Sequence, residues 1–280
     1  VEGLSDDIEL TLLSKQQLEQ DRHLLKAIYG LLVSAHYRTR PSDLRQLMDD
    51  DNQQIIIARQ MSVVVGVLLL NEEGGFEETL AQDIFLGKRR PQGHLLAQMI
   101  TAQAGVKNFA GFRGLRVQRI AVHENCRRHG IGRLLIDRAK QLVSDRRLDY
   151  LGSSFALDHT MAPFWQKLGF QLVHIASGKG KSTGRQTIAM LHAQQADVML
   201  AIASMQEKIK RYFPIWLLTY CNSMCWQDVL TLVRLLHEEY VLNEQDRDEI
   251  SAFTDGFRGF ELTQSSLQRL LVNELRSGSM

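Results

Sequence analysis

The segment that most constrains this chain runs from Arg116 to Arg133 and has the pattern of a strand, a glycine-containing loop and the start of a helix. Ile120, Ala121 and Val122 have strand character. Gly130 and Gly132 lack side chains where the chain must bend and approach a ligand closely. From there apolar residues recur at helical spacing, as Ile131, Leu134, Leu135, Ala139 and Leu142. A helix that begins there points unpaired N–H groups at whatever lies in front, which suits a pyrophosphate.

Two other phosphate-binding motifs do not fit. A dinucleotide fingerprint needs G-x-G-x-x-G early in a βαβ unit, whereas the order here is basic-x-x-Gly-x-Gly in the middle of the chain. The run from Gly178 to Gly184 imitates a P-loop, but Ile175 stands where its first glycine is needed. A strand pattern, Gln186–Leu191, follows it where a P-loop needs a helix. The run is therefore predicted to be a hairpin turn.

The order basic-x-x-Gly-x-Gly after a strand resembles the acetyl-coenzyme A signature of the GNAT acetyltransferases. The resemblance implies an α/β fold, with a GNAT mixed central sheet flanked by helices and a small all-α bundle after it. The other predicted elements fit that order. They are helices at Gln16–Tyr37, Pro41–Met48 and Thr160–Phe170, and strands at Gln54–Ala58, Val63–Leu70, Tyr150–Phe155, Gln171–Ala176 and Gln186–Leu191.

Several stretches resemble a narrower family. They are Ala35–Asp49, Glu72–Gly75, Gly87–His94, Arg119–His123, Asp149–Phe155 and Phe164–Phe170. Together they are similar to the acetyltransferase half of the tRNA(Met) cytidine acetyltransferase family. The resemblance implies acetyl-coenzyme A as the donor and a tRNA, elongator tRNA(Met), as the partner. The product it implies is N4-acetylcytidine at the anticodon wobble position.

The same resemblance divides the chain into a linker or strand at 1–13, a GNAT domain at 14–192 and a helical region at 193–280. In that family an ATP-hydrolysing, helicase-like module precedes the acetyltransferase, and no Walker lysine is found here. The chain also begins at Val1 rather than at a methionine. We therefore expect the C-terminal part of a longer polypeptide, in which ATP acts only through a module outside this chain. The alternative is a family member without that motor.

Composition gives bounds rather than a function. The chain has 44% hydrophobic and 23% charged residues, as ordinary globular proteins do. No apolar run reaches the ~18 residues that a membrane span needs, and the start is too acidic for a signal peptide. Three cysteines (Cys126, Cys221 and Cys225) are too few and too poorly spaced for a disulfide framework or a zinc site. These features predict a cytoplasmic protein with no metal site and no membrane partner.

The GNAT resemblance assigns coenzyme binding to main-chain groups of the signature strand and to the loop and helix start after it, with the loop side chains facing solvent. One further lysine, on a later helix, matches a basic coenzyme-contacting position of the family. Thr160 stands where a nearby family position is acidic, which puts that contact in question. The predicted coenzyme-binding residues are Ile120, Ala121, Val122, Arg127, Arg128, His129, Gly130, Ile131, Gly132, Arg133 and Lys167.

Basic residues are clustered although the net charge is only +1. Six arginines lie between positions 113 and 133, against one acid, Glu124. The bland interpretation is solvated surface, and some of these arginines would serve coenzyme phosphates. The family resemblance favours RNA binding by Arg38, Arg40, Lys88, Arg89, Arg90, Arg116 and Arg119.

The last region is predicted to be helical. Asn243 has the pattern of a cap for a helix beginning near Glu244, and Thr263 of a cap for the helix through Leu271. In the resembling family a C-terminal helical region helps to hold tRNA. The basic group that invites the same role here is Lys208, Lys210 and Arg211.

No general base can be assigned from the sequence. His36, His94 and His123 are the candidates, because imidazole titrates near neutrality. Phe155, Phe164 and Trp165 could stack on a base, although core packing is favoured for the last two. The exocyclic amine of cytosine is a poor nucleophile, so orientation and oxyanion stabilisation should contribute more than a strong base.

Two other functions fit the same signature. One is a GNAT enzyme that acetylates a small amine or a protein substrate, for which an acid-lined pocket would be expected. The other is a non-catalytic RNA-binding module that kept the fold. That module would bind tRNA in a salt-sensitive way without binding the coenzyme.

Overall fold

A computed structural model of the chain describes residues 8–35, 50, 52–181, 183–236 and 242–277. Within these ranges seven strands form one sheet in the order β1-β2-β3-β4-β5-β7-β6. Adjacent strands are antiparallel except β4 and β5, which run parallel, so the predicted mixed sheet is confirmed. The strands are β1 (Ile8–Leu13), β2 (Gln53–Gln60), β3 (Val63–Gly74), β4 (Arg113–Val122), β5 (Tyr150–Ala156), β6 (Gln171–Lys179) and β7 (Gln186–Ala193).

Helices cover both faces of this sheet and follow it in the chain. The helix α4 continues directly into a π-helical turn at Met99–Ala104. None of the helices in the described ranges is both long and apolar enough to cross a membrane. The helices are α1 (Lys15–Gln20), α2 (Arg22–Ala35), α3 (Glu78–Phe85), α4 (Leu95–Gln98), α5 (Ile131–Asp145), α6 (Met161–Lys167), α7 (Ala196–Leu218), α8 (Trp226–Leu236), α9 (Glu244–Thr254) and α10 (Phe260–Ser277).

Each face of the sheet buries its own core, because successive strand residues point to opposite sides. On one face α5 packs Leu135 and Ile136 against Leu68 and Val117. On the other face α2 packs against β2 and β3, and α4 packs against β5 and β7. A Cβ at Gly66 would lie 2.9 Å from Ile131 Cγ2, so this glycine lets α5 approach β3 closely.

The first predicted helix is wrong in one respect, because the structure has two helices where the pattern predicts one. The break is at Asp21, whose backbone is extended at φ −114° and ψ 90°. Its carboxylate accepts hydrogen bonds from the amides of His23 and Leu24, at 3.0 and 2.9 Å, and so caps α2. The predicted helix at 41–48 lies outside the described residues. Helices α3 and α4 have no counterpart in the sequence prediction.

The structure also shows the conformation of the first strand and of the turn between β6 and β7. Of the linker or strand predicted at 1–13, Ile8–Leu13 is an edge strand that pairs with β2, and 1–7 lie outside the described residues. The run that imitates a P-loop joins β6 to β7, with Lys179 opposite Gln186. The Gly180 amide donates to the Arg185 carbonyl at 2.8 Å. The predicted hairpin turn is thus confirmed.

The predicted helical character of the last region is also confirmed. Helices α7 and α8 share a core with the sheet, where Ile209 and Leu232 join the cluster that contains Leu172. Asn243 caps α9 as predicted, accepting from the Asp246 amide at 2.7 Å. The predicted cap at Thr263 is wrong, since α10 already begins at Phe260 and the Thr263 hydroxyl donates to the Gly259 carbonyl within it.

Candidate functional site

Strands β4 and β5 pair over four residues and then separate. Gly114–Val117 lie opposite Tyr150–Ser153. Beyond that point β5 continues beside β7, and β4 continues beside β3 to Val122. The segment Gln118–Val122, here called the open edge, therefore has a strand neighbour among the described residues on one side, β3, and none on the other. Unpaired main-chain groups on such an edge can pair with an extended ligand.

A β-bulge explains where the separation begins. Leu70 lies opposite Val117 but Leu69 lies opposite Arg119, so Gln118 is the extra residue of β4. A bulge bends its strand and increases the local twist. This bend falls one residue after the last pair with β5, which directs the rest of β4 away from that strand.

The loop after β4 delivers a row of main-chain amides to the start of α5. The His123 amide is held by the Val65 carbonyl at 2.8 Å. Arg128 and Gly130 have left-handed backbones, with φ of 67° and 85°. No side chain caps α5, and within the described ranges no hydrogen-bond acceptor is found for the backbone amides of Arg128–Arg133. These six residues, here called the amide cluster, lie at the positive end of the helix dipole, an arrangement that suits an anion.

There is open space around Gly130, within the amide cluster. A Cβ at Gly130 would have no heavy atom within 4 Å, whereas a Cβ at Gly132 would lie 3.4 Å from the Phe164 ring. Phe164 thus bounds the site on one side. Lys167 follows three positions later on α6 and is exposed. Residues three apart share a helix face, so Lys167 lies within one turn of that boundary.

The predicted coenzyme residues differ in what their side chains do. Arg127, Arg128 and Arg133 are exposed, as expected. His129 differs from the prediction because its Nδ1 is buried without a hydrogen-bond partner. Arg127 Nε donates to the Val122 carbonyl at 3.2 Å. The predicted main-chain contact of Val122 with the coenzyme is therefore wrong for that carbonyl, which is already bonded within the protein.

The three candidate general bases lie in different surroundings. His36 lies outside the described residues. His94 precedes α4, and its Nδ1 accepts the Gly74 amide at 3.0 Å while its ring contacts Phe76, with centroids 4.5 Å apart. That nitrogen's lone pair is used structurally. His123 is exposed at the end of β4. The general base stays unassigned.

The residues predicted to bind RNA are not all alike. Arg38 and Arg40 lie outside the described residues. Lys88, Arg89 and Arg90 are exposed in the loop after α3, with Lys88 Nζ 3.9 Å from Asp83 Oδ1. The RNA role of these residues stays a prediction.

Four of the remaining basic residues already have partners in the protein. Arg116 forms an ion pair with the buried Glu73, and the partly buried Arg119 is also engaged. Lys208 Nζ donates to the Ala104 carbonyl at 2.8 Å, and Lys210 pairs with Glu207 at 3.1 Å. Arg211 is exposed.

Two acidic residues near the candidate site, Glu73 and Asp158, were not singled out by the sequence analysis. Glu73 Oε2 accepts the Leu96 and Ala97 amides at 2.7 and 3.2 Å, so it caps α4. The sequence feature that could have indicated Glu73 is a carboxylate at the end of the apolar run of β3.

Asp158 caps α6 two residues before Thr160, and Arg185 Nη1 lies 2.9 Å from its Oδ2. Burial raises the pKa of Asp158, but hydrogen bonds from Thr160 and Met161 and the Arg185 charge lower that pKa further.

The aromatic residues mostly serve the core. Trp165 is 2% exposed, and its ring centroid lies 5.9 Å from that of Phe155 and 5.4 Å from that of Phe164. The preference for core packing is confirmed for Trp165. Phe155 and Phe164 are half-buried.

The chain is similar in sequence to bacterial tRNA(Met) cytidine acetyltransferases. A tRNA(Met) cytidine acetyltransferase of Pectobacterium atrosepticum is 38% identical over 246 residues, covering 88% of this chain and 35% of the relative. One from Yersinia pestis is 36% identical and covers 95% of this chain and 38% of the relative. The chain thus spans little more than a third of the length of these curated relatives.

A solved structure, a polyamine N-acetyltransferase of Drosophila melanogaster, covers 67% of this chain and 100% of its own at 16% identity, with a TM-score of 0.47. The profile described as GNAT acetyltransferase 2 matches residues 27–146 and 134–195. The matched residues include the open edge, the amide cluster and α6. The chain therefore belongs to the GNAT acetyltransferase 2 family, and its resemblance to the tRNA(Met) cytidine acetyltransferases is confirmed.

Proposed function

We propose that this chain transfers the acetyl group of acetyl-coenzyme A to the N4 amine of a cytidine in tRNA, at the anticodon wobble position of elongator tRNA(Met). The acceptor is proposed from the named relatives. The donor is proposed from the geometry. The observation that carries it is the continuity of the open edge with the amide cluster, since one ligand with an amide-containing arm and a diphosphate fits both.

The chain's own groups have distinct roles in this proposal. Acetyl-coenzyme A supplies the acetyl group as a thioester. Main-chain groups of Ile120 and Ala121 pair with the extended pantetheine arm, and the amide cluster binds the pyrophosphate. The Arg128 and Arg133 side chains add positive charge, and Lys167 adds a further coenzyme contact.

In the transfer, the amine nitrogen forms a bond to the acetyl carbon while the carbon–sulfur bond breaks. The amine loses a proton, and coenzyme A leaves as a thiol. Because the cytosine amine is conjugated with its ring, holding it against the carbonyl is the main requirement. Unpaired amides of the open edge are the donors available to the developing oxyanion.

The surroundings of the reaction are part of the proposal. The relatives are nearly three times as long as the matched region. In this proposal an ATP-hydrolysing module outside this chain presents the anticodon loop. The three cysteines are free rather than bridged, which supports a reducing cytoplasm.

The full-length protein, incubated with labelled acetyl-coenzyme A, ATP and tRNA(Met) transcripts, tests the proposal, with nucleosides identified by mass spectrometry. We expect N4-acetylcytidine in the transcript and none in a transcript with uridine at the wobble position. Acetylation of a small amine or a protein instead of any cytidine would support the first alternative. Binding of tRNA without binding of the coenzyme would support the second.

A further inference from the structure

A cleft lies on the opposite face of the sheet from α5. Its volume is about 560 Å³. Arg89 and Arg90, from the loop after α3, stand at its rim. Leu95, Gln98 and Met99 form the wall made by α4 and its π-helical turn, and Arg116 of β4 forms the inner end. We call it the arginine cleft.

Packing contacts place the arginine cleft beside the point where β4 and β5 separate. A Cβ at Gly152 would lie 2.3 Å from Leu96 Cδ2, so α4 rests directly on β5. One turn later Met99 Sδ lies 3.9 Å from Ser154 Oγ. Ser154 is the first residue of β5 beyond the last pair with β4. The cleft thus opens next to the separation that the proposed thioester would occupy.

The guanidinium at the inner end is held rigidly. Arg116 Nε is hydrogen-bonded to Glu73 Oε1, and the Glu73 side chain is fully buried while that of Arg116 is 14% exposed. The other oxygen of Glu73 accepts the amides of Leu96 and Ala97. Both oxygens of Glu73 are therefore engaged, and the Nη groups of Arg116 have no hydrogen-bond or ion-pair partner among the described residues. They remain as a pair of donors toward the cleft.

The loop at the rim is also supported. Gln98 Nε2 donates to the Pro91 carbonyl and, at 3.0 Å, to the His94 carbonyl. These bonds tie the loop to the wall. Within the part of the chain that the structure describes, no carboxylate pairs with the side chain of Arg89 or Arg90. Both charges are thus available to phosphates.

We propose that the arginine cleft receives the target cytidine, an inference that rests on the proposed acetyl transfer to RNA. Arg89 and Arg90 bind the flanking phosphates. Arg116 donates from its Nη groups to O2 and N3 of the cytosine edge, which leaves N4 directed toward the separated strands. Cytosine offers two adjacent acceptors there, whereas uracil carries a hydrogen on N3 that opposes a donor. Arg116 is thereby a specificity-determining residue for cytosine over uracil.

The test measures the affinity of anticodon stem-loop RNAs that carry cytidine or uridine at the target position. We expect the wild-type protein to prefer the cytidine RNA by about tenfold or more, the scale of one bidentate base contact. Arg116→Lys keeps a positive charge beside Glu73 but loses the fork, and it should reduce that preference to about onefold. Circular dichroism and unchanged affinity for acetyl-coenzyme A establish that this variant is folded.

Arg90→Gln separates phosphate binding from base selection. It should weaken both RNAs equally and lower the slope of log affinity against log salt by about 1, with the cytidine preference intact. Arg247→Gln, the same change at an exposed position on α9, is the matched control and should alter neither quantity.

Three results would overturn the inference. A preserved cytidine preference in folded Arg116→Lys would show that another group selects the base. Equal wild-type affinity for the two RNAs, with acetyl-coenzyme A bound, would remove the inference and leave the proposed function standing. A wild-type protein that binds no acetyl-coenzyme A would remove both.

Discussion

Val117 of β4 lies opposite Ser153 of β5, and this pair is the last one between the two strands. The extra residue Gln118 follows at once, and from there β3 is the one strand among the described residues that pairs with β4. The open edge, the amide cluster and the arginine cleft all adjoin this point. The proposed chemistry depends on that one separation.

Gly130→Ala should weaken acetyl-coenzyme A binding and cost about 1 kcal/mol of stability, because a left-handed backbone disfavours a Cβ. Gly256→Ala is the matched control, since Gly256 also has a positive φ, 78°, and open space around its Cα. Both variants should lose similar stability in urea. In titration calorimetry with acetyl-coenzyme A, only Gly130→Ala should lose affinity, and equal affinities would argue against the amide cluster as the diphosphate site.

Glu73→Ala should destabilise the fold by about 3 kcal/mol or more, because it leaves Arg116 buried and the α4 amides without an acceptor. The neighbouring Glu72→Ala provides the control. Glu72 pairs with Arg113 and Arg146 at a more exposed position, so its loss should cost no more than about 1 kcal/mol. Urea denaturation measures both, and similar costs would contradict the structural role given to Glu73.

His174 should make stability fall in mild acid. Burial, followed by the charge of Lys208, lowers the pKa of this imidazole to about 4 in the folded protein. An unfolded histidine titrates near pH 6.5, so between about pH 6.5 and 4 only the unfolded state gains the proton. Stability attributable to His174 is therefore complete above about pH 6.5 and decreases, by about 3 kcal/mol in total, as the pH falls to about 4.

The measurement for His174 is the free energy of unfolding at several pH values. His174→Gln keeps a donor for Gln103 and should flatten the curve relative to wild type. His159→Gln, at an exposed position, should leave the slope unchanged. Parallel curves for wild type and His174→Gln would refute this assignment.

Gly152→Ala should destabilise the protein by about 1–3 kcal/mol, since the new Cβ would lie 2.3 Å from Leu96 and 2.6 Å from Leu191 in a filled core. Gly30→Ala offers the opposite case within α2, where no heavy atom lies within 4 Å. It should stabilise the protein by about 0.5–1 kcal/mol through better helix propensity. Thermal unfolding of the pair compares them, and a neutral Gly152→Ala would contradict the direct packing of α4 on β5.

The core of the fold could be predicted because its signals are local. The change from strand to helical periodicity after Val122, and the glycines at 130 and 132, define β4, its loop and α5 within one short segment. The hairpin at 178–184 was recognised in the same way, from the strand that follows it. Each of these needs only neighbouring residues to be interpreted.

The contacts that could not be predicted from the sequence mostly join residues far apart in the chain. Glu73 caps a helix that begins more than 20 residues later in the chain. The same carboxylate pairs with Arg116, and no pattern near Arg116 in the sequence indicates that contact. The helix break at Asp21 could not be predicted, because the apolar residues continue at helical spacing across it. The predicted cap at Thr263 was wrong because a threonine hydroxyl can also donate to the carbonyl four residues earlier, as it does here to Gly259.

The most direct test of the account is a titration of the isotope-labelled protein with acetyl-coenzyme A, followed by backbone amide resonances. We expect saturable shifts at Arg128–Arg133 and along Gln118–Val122, with the amides of α9 unchanged. Saturable binding that leaves both of those segments unperturbed would contradict the claim that the separated strands and the start of α5 hold the donor.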